Sequence, residues 1–139
     1  MFIRAAVSVL LLVLAVGCTG LTEGSRLDQF SQIAKSYERA LTRSEYHTAA
    51  KYHHHPPKGA PVKLERFANI KIFRYKIKNI QVLNNARTIE QDVELQYFLL
   101  DRNILKTTTD HQVWRYNETR KVWMLESGMP PFHNQRSGD

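Results

Sequence analysis

Residues 70–100 read IKIFRYKIKNIQVLNNARTIEQDVELQYFLL, two runs of alternating side chains on either side of Asn84 and Asn85. A period of two marks a strand, because successive side chains leave the backbone on opposite faces. In the first run Phe73, Tyr75 and Ile77 alternate with Arg74, Lys76 and Lys78, after which the phase slips and Ile80 and Val82 carry the apolar side. One extra residue in a paired strand produces such a slip, so a bulge is expected there. In the second run Ile89, Val93, Leu95, Tyr97 and Leu99 alternate with Glu90, Asp92, Glu94 and Gln96. Asn-Asn between the runs is a turn signal. One outer face is basic and the other acidic, which favours this antiparallel hairpin over mispairings by about 0.2–1 kcal/mol per exposed pair.

Further along, Asp101-Arg102-Asn103 reads as a second turn, 105–116 as a third strand, 117–120 as a third turn and 122–126 as a fourth strand. Four consecutive strands joined by short turns make a meander with one apolar face, which needs a cover. Upstream, Leu27, Phe30, Ile33, Ala34, Tyr37, Ala40 and Leu41 follow the spacing of an amphipathic helix. Thr42 and Glu45 match a capping box that would open a second, shorter helix with Tyr46, Ala49, Ala50 and His53 inward, stopped by Pro56 and Pro57. The expected fold class is α+β: two N-terminal helices packed on a curved four-stranded antiparallel meander. Gly128, Pro130 and Pro131 end the sheet. The remaining stretch, 128–139, reads as a mobile tail.

At the other end, Arg4 precedes an apolar run over 5–16, which is too short to span a bilayer and has the length of a signal-peptide core. Ala15-Val16-Gly17-Cys18 follows, and Cys18 is the single cysteine of the chain. This tetrad resembles a bacterial lipobox, departing from it in having Ala15 where Leu is usual. The resemblance implies cleavage before Cys18, a diacylglycerol on its thiol and residence in a Gram-negative envelope. An ordinary secretory signal with an unmodified thiol is the alternative. Thr19 stands where an Asp would favour retention in the inner membrane, so the outer membrane, periplasmic face, is the expected location. The organisation is then 1–17 signal peptide, 18–25 acylated Cys and flexible tether, 26–127 one α+β domain and 128–139 tail. Without its first 17 residues a 139-residue chain keeps 122, enough for one domain and too few for two. With Cys18 acylated no disulfide forms, and packing alone must hold the domain.

The order of a long helix, a shorter helix and a long meander ending in Trp114-Arg115-Tyr116 and Val122-Trp123-Met124-Leu125 resembles the cone fold of nuclear transport factor two and ketosteroid isomerase. The likeness spans roughly 27–127. It implies a sheet curled around the helices with a pocket at the wide end, where relatives bind small apolar ligands, dimerise or catalyse; fold alone does not choose among these.

Charge narrows the partners. Of a net +7, eight basic residues fall within 58–87 against Glu65 alone, and the rest of the chain balances. In an envelope protein this stripe, Arg74, Lys76 and Lys78 above all, suits anionic headgroups, lipopolysaccharide phosphates or an acidic protein face rather than nucleic acid. A solvated strand face is the plainer reading of the same stripe.

The chemistry-bearing residues are few. Consecutive His53, His54 and His55 point in different directions, and only His47 and His54 share a helical face, so no metal site is expected. Asp110 and His111 are the adjacent acid and imidazole of the sheet, and only one of them can face inward; a surface position with ordinary titration is the plainer expectation. No phosphate loop, nucleophile elbow or carboxylate pair is present, and neither catalytic residues nor a cofactor are expected. Tyr37, Tyr75, Tyr97 and Trp114 are the candidate pocket lining, with core packing as the alternative. Phe98 and Leu100 fall on an outer face and, with Met129 and Phe132, are a candidate contact surface. The expected function is that of a non-catalytic envelope lipoprotein, membrane-attached through its lipid, that binds an envelope protein or a second copy. A carrier or sensor of a small hydrophobic ligand is the alternative, and an isomerase- or dehydratase-like enzyme stands third.

Overall fold

A computed structural model describes residues 21–54 and 64–132. Cys18 and the apolar run before it, His55, Pro56 and Pro57, Lys58 and Lys63, and the chain from His133 onward lie outside the described residues. The fold is α+β. Helix α1 spans Leu21–Thr42, α2 spans Tyr46–Ala50, a 3-10 turn covers Leu64–Phe67, and four strands follow: β1 Ile70–Leu83, β2 Thr88–Leu99, β3 Ile104–Asn117 and β4 Val122–Leu125. The strands form one sheet in the order β1-β2-β3-β4, each neighbour antiparallel. Among the described residues no helix is long and apolar enough to cross a membrane.

Helix α1 lies on the inner face of the sheet through Phe30, Tyr37, Ala40 and Leu41, all buried. Phe30 meets Trp114 and Trp123 edge-on at 5.8 and 5.3 Å, and Tyr37 meets Trp114 at 5.4 Å. The helix starts earlier than the apolar periodicity indicated, so 21–25, read as tether, are helical. The reason lies in Arg26. Its carbonyl accepts from Trp123 Nε1 at 2.9 Å, and its guanidinium donates to the carbonyls of Asn85 and Ala86, which ties the first turns of α1 to two hairpins.

The capping box does not form. Thr42 is the last residue of α1, and its hydroxyl donates back to the Glu38 and Arg39 carbonyls. Ser44 turns the chain at φ 62°, and Glu45, the residue before α2, makes no side-chain cap. A Ser or Thr hydroxyl prefers the carbonyl one turn back when its own residue is still helical. Helix α2 is also shorter than expected. After Ala50 the chain leaves the helix and pairs with the free edge of β4: Leu125 N–H donates to the Tyr52 carbonyl at 2.8 Å, and His54 N–H donates to the Leu125 carbonyl at 2.9 Å.

Strand β1 carries two irregularities, one between Ile72 and Arg74 and one between Ile77 and Asn79. The second is the expected bulge. The first was not expected, and it corrects the placement of Phe73: Ile70 and Ile72 are the inward residues at that end, and Phe73 turns to the outer face, 45% exposed. Beyond it Tyr75, Ile77, Ile80 and Val82 pair with Leu95, Val93, Gln91 and Ile89, whose side chains are buried on the inner face. They therefore point inward, yet Ile77, Ile80 and Val82 remain about half exposed, because the helices do not reach over this part of β1.

The segment after β4 is not loose. Met129 and Phe132 are buried, and Phe132 packs against Tyr97 at 4.6 Å and Phe67 at 5.6 Å. This corrects both the boundary at 128 and the reading of these two residues as surface: burying two large apolar side chains outweighs the turn-like look of Pro130 and Pro131, at about 1.5–3 kcal/mol each.

Candidate functional sites

Two arrangements stand out, one beneath the helices and one on the outer face. The inner arrangement begins with alternation on β3. Asp110, Gln112 and Trp114 fall in one phase and face inward, while His111 faces out. Beside them on β2, Gln91 holds an inward position that the pattern of Ile89 and Val93 would give to an apolar residue.

These polar groups form one network. Gln112 Oε1 accepts from Trp114 Nε1 at 3.1 Å, Gln91 Nε2 at 2.7 Å and Tyr75 Oη at 3.2 Å, and Gln112 Nε2 donates to Asp110 Oδ2 at 2.7 Å. The indole is only a donor, so it fixes which way the Gln112 amide points. Gln112 in turn presents its N–H to the carboxyl of Asp110. Burial pushes the Asp110 carboxyl up from 3.8 to about 6, against the opposing hydrogen bond from Gln112. Tyr37 is raised well above the ordinary phenol value, first by burial and then by the charge of Asp110. Tyr75 is raised as well, chiefly by burial. Gln91 Oε1 is buried with no hydrogen-bond partner among the described residues. Buried polar groups cost free energy unless paired, so a cluster of this kind in a small core calls for a purpose.

The four aromatic residues singled out from the sequence sit as follows. Tyr37 and Trp114 pack together in the core, Tyr75 joins Trp114 through Gln112, and Tyr97 turns to Phe132. Tyr37 Oη also lies 3.5 Å from His53 Nε2. His53 is buried, whereas His47 and His54 are exposed. Among the described residues no three His, Cys, Asp or Glu side chains gather in a way that could hold a metal. Of the acid and imidazole pair, Asp110 is the inward member. Outside, His111 Nδ1 sits 2.7 Å from Asp92 Oδ1, a bond that raises its imidazole above the ordinary value. The sequence signal for Asp110 and Gln112 was present in the phase they share with Trp114; the plainer surface expectation for Asp110 is overturned by its burial.

The outer arrangement is built by the first bulge. Phe73 rests against Phe98 with ring centroids 5.2 Å apart, and Phe98 pairs across β3 with Leu105, which is 53% exposed. Leu100 is exposed nearby at the strand end. From this apolar end two stripes run along the same face. Arg74, Lys76 and Lys78 lie on β1, all exposed, and Glu94, Asp92 and Glu90 lie on β2. Lys76 stands opposite Glu94 in the register, and Lys78 Nζ is 3.4 Å from Glu94 Oε2.

No protein-family model matches this chain, and no curated protein and no solved structure matches it.

Proposed function

We propose that this chain is a non-catalytic cell-envelope lipoprotein, anchored in the outer membrane through Cys18 and facing the periplasm, whose single domain docks a protein partner through the outer face of β1 and β2. The observation that carries the docking role is the Phe73 and Phe98 pair on the outer face, with Phe73 exposed and Phe98 half-buried. An irregularity in β1 takes Phe73 out of the inner face, and bulges commonly re-aim a side chain in this way. An aromatic pair with Leu105 beside it and charges around it has the composition of an interface core with a polar rim. The long helix, short helix and bulged meander also suit the cone fold. A photo-reactive residue at Phe98 in intact envelopes tests the reading: a discrete cross-linked product supports it, and recovery of only the single chain sinks it.

A second reading has its own support. The row Ile77, Ile80 and Val82 is half exposed on the inner face, and across the sheet from it lie Gln91, Gln112 and Asp110. Apolar walls with a few convergent polar groups are the usual make-up of a small-molecule site. A carrier or sensor of a small hydrophobic ligand would use them, and an isomerase- or dehydratase-like enzyme would in addition use Asp110 as its acid or base. Native mass spectrometry of protein from its own host tests this reading: a bound small molecule lost on Ile80→Glu supports it, and a bare mass opposes it.

A further inference from the structure

We infer that the partner of the outer face is a second copy of this chain, packed sheet to sheet about a two-fold axis that runs along the seam between β1 and β2. The inference rests on the docking role proposed above and names its occupant. It is carried by the order of charges on that face.

The two stripes lie side by side, basic on β1 and acidic on β2. An anionic surface would be attracted by one and repelled by the other. An unrelated partner would need the mirror of this pattern. A second copy supplies the mirror by symmetry alone, because an isologous contact is self-complementary. A two-fold axis along the seam lays β1 of each copy over β2 of the other at the same height. Lys76 then faces Glu94 of the other copy, and Asn79 comes over Asp92 with Lys78 beside it in the irregularity. The Phe73 ring, which rests against Phe98 of its own chain, comes over Phe98 of the other copy. Aligned sheets cross at about −30° because each is twisted. The two faces therefore stay closest near one crossing point and diverge from it. Centring that point on Phe73 and Phe98 puts the four rings in the dry middle. Lys76 lies about 10 Å along the strand at the usual rise per residue, where diverging sheets leave charges partly hydrated. Dry aromatic centre and charged rim is the anatomy of a stable interface.

The test uses the full chain extracted in mild detergent, with its mass in solution measured by sedimentation equilibrium under density matching. The parent is expected to sediment as two chains. Lys76→Glu places two acids against each other twice, and Glu94→Lys places two bases against each other twice. Each variant alone should weaken association about tenfold or more. Mixing the two variants should restore a two-chain species, since each contact then joins a Glu to a Lys. Phe73→Ser should weaken association in every background, with far-UV circular dichroism unchanged because these side chains lie on the surface. A parent that sediments as one chain overturns the inference. So does a two-chain parent that neither charge variant perturbs, or a mixture that stays dissociated. The cross-linking at Phe98 separates the two levels: a product with a different protein keeps the docking role and overturns the second copy, and the absence of any product overturns both.

Discussion

Arg26 Nε donates to the carbonyl of Ala86 at 3.0 Å across a sequence gap of 60 residues. The same guanidinium bonds the Asn85 carbonyl at 2.8 Å and lies 5.7 Å from the Tyr116 ring centroid. It thereby holds a turn in which Asn84, Asn85 and Ala86 all adopt positive φ. Asn tolerates that region, but Ala does so at a cost of about 1–2 kcal/mol. Arg26→Ala should remove both hydrogen bonds and leave two carbonyls without their donor. We expect a loss of about 3 kcal/mol, visible as a lower urea midpoint. A variant within about 0.5 kcal/mol of the parent, the size of an ordinary surface change, would show the clamp to be incidental.

Lipidation has a direct check. Cys18 serves at once as acyl acceptor and as the residue that fixes cleavage in the lipobox reading, so Cys18→Ser should accumulate as an unprocessed precursor that takes up no labelled palmitate. Labelling and processing equal to the parent would remove the anchor from the proposal.

The basic stripe makes a weaker claim on the membrane. Each Lys or Arg near anionic headgroups contributes about 1 kcal/mol, screened within a Debye length. Here Glu94, Asp92 and Glu90 run beside the stripe, and Lys78 is already paired. We expect weak binding of the chain to anionic vesicles, lost as salt rises, and reduced further by replacing Arg74, Lys76 and Lys78 with Gln. Binding that ignores both salt and the triple replacement would rule the stripe out as a headgroup contact.

Much of the sheet was legible because a period of two leaves little choice of face. The second irregularity of β1 showed as a phase slip after Ile77. The first did not, although Ile70 and Ile72 are even-numbered and Tyr75 and Ile77 odd, because Phe73 is itself apolar and bridged the change unnoticed. Arg26 was invisible to periodicity: a charged residue is buried only when partners are arranged for it, and those partners lie 59 and 60 residues away. Phe132 was hidden by its prolines. Gln91 is legible because it interrupts the inward apolar phase of Ile89 and Val93, whereas Gln112 follows polar Asp110 in its phase and is marked only by Trp114 two residues on.

Asp110 gives the prediction with the most physical content. Its carboxyl titrates at about 6 in the folded chain against 3.8 ordinarily, so between those values the folded state holds more protons than the unfolded one. Stability from this group is fully present below about pH 4, falls as pH rises to about 6, and stays lost above. Asp110→Asn replaces the acid by a neutral side chain of the same shape whose carbonyl can still accept from Gln112 Nε2. It should therefore stabilise the protein at pH 7, by at most about 3 kcal/mol at 1.36 kcal/mol per unit, and the gain should vanish near pH 4. Urea midpoints of parent and variant from pH 4 to 8 measure the difference directly. A variant that is less stable than the parent at pH 7, with a gap that does not change with pH, would mean that the charged carboxylate is held by a favourable partner, and the desolvation account of Asp110 would fail.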